Sequence, residues 1–127
     1  MSRKKRVEIV VPILNDEYKV IVCFGEPSDI KKTLLKWFHK PADSSIVDLQ
    51  HRRGCCFYAP YCYPVIALPH FPRTGEEIGT LSHEAVHAVA DIFKKIEEND
   101  VNEVFAHSVG AVVRTVLKSK WNYLKKM

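Results

Sequence analysis

The sequence predicts an α+β domain: a small, mostly antiparallel sheet, an N-terminal helix and two C-terminal helices, with the helices gathered on one side of the sheet. Three observations predict it. Two Val- and Ile-rich runs lie close together near the start, separated by a polar turn. Apolar residues between Ile30 and Phe38 then recur at helical spacing. The last third of the chain carries two consecutive stretches of the same helical period.

Taken in order, Val7 to Leu14 reads as a strand, Asn15-Asp16-Glu17 as a turn, and Tyr18 to Phe24 as the second arm of a hairpin. Gly25 and Pro27 break that arm, and Ser28 is placed to cap the first helix. Ile30, Leu34, Leu35, Trp37 and Phe38 give this helix its apolar face, which runs as far as Pro41. Ala42 to Arg53 is polar and irregular. Gly54 to Ala59 reads as a strand, and Val65 to Phe71 as another. Pro69 lies inside the second of these and cannot donate to a ladder, so that strand is expected at the sheet edge. An open edge made by Val65, Ile66, Ala67 and Leu68 would let an extended peptide add as a further strand.

The next helix begins near Gly75. Thr74 caps it and Glu77, three residues on, completes a capping box. Ile78, Leu81, Ala85, Val89, Ile92 and Ile96 form its buried stripe, with Val86 and Ala88 at the margins. Glu97 to Asp100 ends it, and Asp100 opens the last helix. Val101, Val104, Phe105, Val109, Val112, Val113, Val116 and Leu117 give that helix a broad apolar face.

At 127 residues the chain makes one domain, residues 1–127. No apolar run approaches a membrane span, which excludes a membrane partner at this level of reading. Much of the net charge of +4 sits at the two ends, in residues 1–6 and 118–127. Basic ends of this kind read as solvated tails in preference to a nucleic-acid surface. The four cysteines, Cys23, Cys55, Cys56 and Cys62, have no C-x-x-C spacing, and free thiols in a reducing cytoplasm are the expectation.

The chemistry concentrates in His83-Glu84-Ala85-Val86-His87, an H-E-x-x-H pattern. Two histidines four apart project from one face of a helix, so both imidazoles can reach one metal ion. Glu84 would lie beside the metal and not on it, where a general base for a bound water belongs. Glu103, sixteen residues after His87, can supply a third ligand from a facing helix. Two His and one Glu leave a fourth tetrahedral position open, the arrangement of a catalytic zinc site.

These residues resemble the gluzincin metallopeptidases, in which an H-E-x-x-H helix is followed by a second helix supplying a Glu. The resemblance covers Phe71 to about Val116, with SHEAVHAVAD followed by NE as its core. The short format, with FPRTGEEIGTLSHE leading into the motif, is also similar to small zincin-like proteins carried by phages and prophages.

The resemblance implies one zinc per chain held by His83, His87 and Glu103, with Glu84 as the base of a peptide-bond hydrolase acting on a peptide or protein substrate. Asn102 matches the Asn that orients a ligating His. Thermolysin-like enzymes carry an Asp four residues after the Glu ligand. Here that position is His107, which can accept a hydrogen bond as the Asp does, or turn into the cleft and stabilise the oxyanion; Tyr61, Tyr63 and His70 are the other candidates for that donor. Asp91 is a second candidate for orienting a ligand, against the plainer reading of a solvated acid. Two other classes stand beside the hydrolase. One is a zinc-containing interaction module without activity, and the other a nucleic-acid-associated protein using the basic ends.

Overall fold

The computed structural model describes residues 7–40, 54–96 and 103–125, with the side chains of the last helix up to Ser119. The predicted basic end 1–6, the polar stretch 42–53, the Asp100 cap and Asn102 lie outside the described residues.

The first two strands are β1 (Val7–Ile13) and β2 (Tyr18–Phe24), and they pair antiparallel from Val7↔Phe24 to Ile13↔Tyr18. Leu14, Asn15 and Asp16 take positive φ to close the hairpin. Short polar side chains such as Asn and Asp tolerate that conformation better than most.

The first helix, α1 (Pro27–Phe38), starts two residues earlier than a Ser28 cap would put it. Glu26 is the N-cap and Pro27 the first helical residue. The proline ring presets φ for a helix and lacks only an N–H that would have no partner there. The Glu26 backbone N–H donates to the Asp29 carboxylate at 3.2 Å.

Two further strands, β3 (Cys55–Phe57) and β4 (Val65–Leu68), complete a four-stranded mixed sheet in the order β1-β2-β4-β3. β4 runs parallel to β2, with Ile21 opposite Val65, and antiparallel to β3, with Ala67 opposite Cys55. The expectation of an edge at Val65, Ile66, Ala67 and Leu68 is therefore corrected. β4 is an interior strand, bonded on both sides and buried at all four residues. Pro69 ends the strand and does not interrupt it, so no ladder bond is lost. Among the described residues the edges are β1, where Pro12 is tolerated for the reason first applied to Pro69, and β3.

Two long helices follow: α2 (Gly75–Lys95) and α3 (Glu103–Lys125). They share one face of the sheet. Val11, Val20, Val22, Ile66 and Leu68 meet Leu81, Ala85, Val89 and Ile92 of α2 and Val112 and Val116 of α3. The opposite face packs on α1, where Ile21, Cys23, Val65 and Ala67 meet Ile30 and Leu34. The helices are thus divided between the two faces, a correction to the one-sided arrangement. β2 explains why: Val20 to Phe24 is buried at every residue, as a strand covered on both faces must be. Fully burying a Leu or Ile side chain contributes about 1.5–3 kcal/mol, so Leu81 and Ile92 fix the angular setting of α2 firmly. Among the described residues no helix is long and apolar enough to cross a membrane.

The capping box of α2 forms as its sequence predicts. Glu77 N–H donates to Thr74 Oγ1, and Thr74 N–H donates to Glu77 Oε1, both at 3.1 Å. The Arg73 N–H adds a bond to the same carboxylate oxygen at 2.9 Å. That Arg73 bond is the first cause that holds the Glu77 carboxyl below the usual carboxylate range. A depressed carboxyl stabilises the fold above its unfolded-state value and loses that contribution as pH falls through the folded-state value. Thr74→Ala should lower stability by about 1 kcal/mol at neutral pH, read as a lower urea midpoint with an unchanged slope. An unchanged midpoint would show that Glu77 and the backbone cap α2 without the hydroxyl.

Candidate metal centre

α2 is amphipathic in a way that separates packing from chemistry. Leu81, Ala85, Ala88, Val89 and Ile92 face the sheet and α3. Glu76, Thr80, His83 and His87, spaced by four, three and four residues, line the opposite face. His83 and His87 are both exposed. Their Nε2 atoms stand 3.1 Å apart and their ring centroids 4.7 Å apart. Two nitrogens at about 2.0–2.1 Å from one tetrahedral zinc would be separated by a little over 3 Å, so the pair fits two ligand positions of one ion.

Glu84 departs from its neighbours. Its side chain is only 13% exposed, and its Oε1 lies 4.0 Å from His83 Nε2. It is turned from the solvent face toward β3. Burial raises its carboxyl above the usual range, while the neighbouring His87 and His83 pull it back down. A half-buried carboxylate with an elevated proton affinity, beside but not between the two nitrogens, has the character a general base requires.

The segment that follows Gly54 runs alongside α2 for about four turns of helix. A Cβ built on Gly54 would lie 3.1 Å from Thr80 Cγ2. The Glu84 charge acts on Cys55, Cys56 and Tyr58, and the Asp91 charge on Cys56 and Tyr58. Lys95 Nζ donates to the carbonyls of Ala59 at 2.9 Å and Cys62 at 2.7 Å. Burial is the main reason that the Cys55 thiol is pushed up to about 12 and that the Cys56 thiol and Tyr58 hydroxyl also rise. All three groups therefore keep their protons at neutral pH. The two thiols are weak nucleophiles in this state.

Other expected site residues fall elsewhere. Asp91 pairs with Lys95 at 2.7 Å, which anchors the end of α2, and makes no hydrogen bond to His83 or His87. Glu103 and His107 are exposed on α3 and share a shallow surface with Ala106 and Arg114. The reason is helical phase. Phe105, Val109, Val112 and Val116 face the core, and Phe105 stacks edge-on against Phe93 of α2 at 5.3 Å. Glu103 and His107, two residues either side of Phe105, are each about 200° around the helix from it. The structure thus does not bring Glu103 to the histidine pair or His107 to the cleft. Among the described residues no group of three or more His, Cys, Asp or Glu side chains is arranged to hold a metal ion.

The sequence reading missed Cys56 and Tyr58 as neighbours of Glu84. Their signal was available in part: residues two apart on a strand point to one face, and GCCFYA already reads as a strand. The strand order that sets this face against α2 was not legible. His70, Tyr61 and Tyr63 lie away from Glu84. His70 pairs with Glu77 at 3.0 Å, Tyr61 is fully exposed, and Tyr63 packs on Trp37 across the other face of the sheet. No family model, no curated protein and no solved structure matches this chain.

Proposed function

We propose that this chain is a zinc-dependent hydrolase of peptide bonds, with His83 and His87 holding the ion and Glu84 as general base. The observation that carries the reading is the convergence of the two Nε2 atoms at 3.1 Å beside a half-buried carboxylate. Zinc, when bound, supplies a Lewis acid that polarises a carbonyl and eases deprotonation of water. Glu84 takes the proton of the attacking water and passes it to the leaving amine. Tyr58 keeps its proton and feels the Glu84 charge, and its hydroxyl is the candidate donor to the developing oxyanion. The substrate runs along β3: it flanks the site helix, and among the described residues nothing pairs with its outer edge.

The test is zinc titration of the purified, metal-stripped chain, read by calorimetry. One zinc per chain is expected for wild type and none for His87→Ala. Glu103→Ala distinguishes two ligand sets. Undiminished zinc affinity in this variant supports a site built on the histidine pair. Loss of zinc would mean that the first turn of α3 rotates to the site when the ion binds, giving the three-ligand set of the sequence reading. No uptake by wild type would end the metal proposal.

A second reading is a zinc-binding interaction module without activity, since the exposed His83 and His87 can hold an ion whether or not Glu84 acts as a base. A zinc-loaded wild type that cleaves no member of a broad peptide library would select it.

A further inference from the structure

A cavity of about 480 Å³ opens at the N-terminal end of α2, on the helix face that carries the histidine pair. Its apolar wall comes from Leu68, Pro69 and Pro72, where the chain leaves β4. Its α2 wall comes from Glu76 and Thr80. Thr80 precedes Glu84 by one turn, a rise of about 6 Å.

Two carboxylates line this cavity and they differ in what they are committed to. Glu77 is occupied: one oxygen accepts from the Arg73 and Thr74 backbone N–H groups, and the other pairs with His70. The Glu76 carboxylate makes no hydrogen bond or ion pair with any described residue, and the Thr80 hydroxyl is spent on the Glu76 backbone carbonyl at 3.2 Å. The capping box satisfies the Glu77 N–H, and the Glu77 carboxylate already stands as an anion at this helix start, which offsets its pull on further anions. The cavity therefore sets an apolar wall of Leu68, Pro69 and Pro72 against a carboxylate, Glu76, that pairs with no other described residue. A long aliphatic stem with a cationic end is complementary to it, with methylenes against the two prolines and the charge at Glu76.

We propose that this cavity is a specificity subsite that takes a lysine or arginine side chain of the peptide substrate, with Glu76 as the recognising residue. The proposal rests on the peptidase reading of the His83–Glu84–His87 site. Glu76 lies eight residues before Glu84 on α2, a rise of about 12 Å, and an extended peptide advances about 3.3 Å per residue, so the basic side chain sits within about four residues of the scissile bond.

The experiment uses zinc-supplemented full-length chain and hexapeptide pools in which lysine or norleucine occupies one position at a time. Binding is read by calorimetry and cleavage by mass spectrometry. At one position, wild type should bind the lysine pool about tenfold more tightly than the norleucine pool at low ionic strength. Glu76→Gln should remove the difference without weakening norleucine binding, and Glu76→Lys should reverse it. Equal affinities at every position, or a lysine preference that survives Glu76→Gln, would overturn the proposal. The two readings fail separately. Cleavage without lysine preference sinks the subsite and keeps the peptidase. A Glu76-dependent lysine preference without cleavage sinks the peptidase and keeps the cavity as a binding site for basic side chains.

Discussion

Glu84→Gln is expected to retain zinc binding and the fold while lowering peptide cleavage by about 10²- to 10⁴-fold, the usual cost of removing a general base. Glutamine matches glutamate in shape and can make hydrogen bonds, but it cannot accept and return a proton. The Glu84 oxygen is 4.0 Å from the nearest histidine nitrogen, so the substitution removes no ligand atom of the histidine pair. Burial already disfavours charge at this position, and a neutral amide should not destabilise the packing against β3. The measurement is kcat/KM on a library-derived peptide, alongside zinc stoichiometry. Loss of zinc in this variant would make Glu84 a ligand and overturn the division of roles. Activity within a few-fold of wild type would remove Glu84 from the chemistry.

The second large effect concerns two glycines whose replacement by alanine should act in opposite directions. Gly54 has φ +98°, and an added Cβ would lie 2.7 Å from Leu68 Cδ2 and 3.1 Å from Thr80 Cγ2. Leu68 is 3% exposed and has little room to retreat. Holding a side-chain-bearing residue in such a backbone conformation costs of order 1–3 kcal/mol, and crowding a packed region adds to it. Gly79 lies inside α2 with nothing within 4 Å of its added Cβ. Alanine there should stabilise by about 0.5–1 kcal/mol, because it lowers the freedom of the unfolded chain and suits a helix. Chemical denaturation of both variants checks the pair. Equal midpoints would mean that the sheet-to-helix spacing at Gly54 yields to a methyl group. Gly54→Ala should also lower cleavage more than its stability loss explains, since Thr80 is one turn from Glu84.

How much of this could be read beforehand depends on the kind of signal. The hairpin was legible because β-branched runs flank Asn15-Asp16. The amphipathic phase of α2 was legible because capping and periodicity agree, and it put His83 and His87 on one solvent face as expected. The two-sided sheet was missed although its mark was present: the unbroken apolar run of β2 cannot face water on either side. Pro69 was over-read, since a proline just past a strand resembles one inside it until pairing is known. Glu103 is instructive for the same reason. Its distance along the chain suited a third ligand, but the Phe105, Val109, Val112, Val116 stripe already fixed its angle, and that angle is away from α2. The Glu76 cavity had no sequence signal, because it joins the exit of β4 to the start of α2.

The division of α2 into a packed face and a chemical face makes the hydrophobic core a positioning device. Leu81, Ala85, Ala88 and Ile92 act as the detents that set the rotation of a shaft whose far side carries His83 and His87. A void under this helix could be closed by rolling it. A roll of only 20° would carry side-chain tips, about 6 Å from the axis, by roughly 2 Å along the flank of β3. Misplacing reacting groups by about 1 Å can cost roughly 10²-fold in rate. For the hydrolase proposed here, the tolerance of this core to substitution would be set by aim, and activity should be lost at substitutions that leave the domain folded.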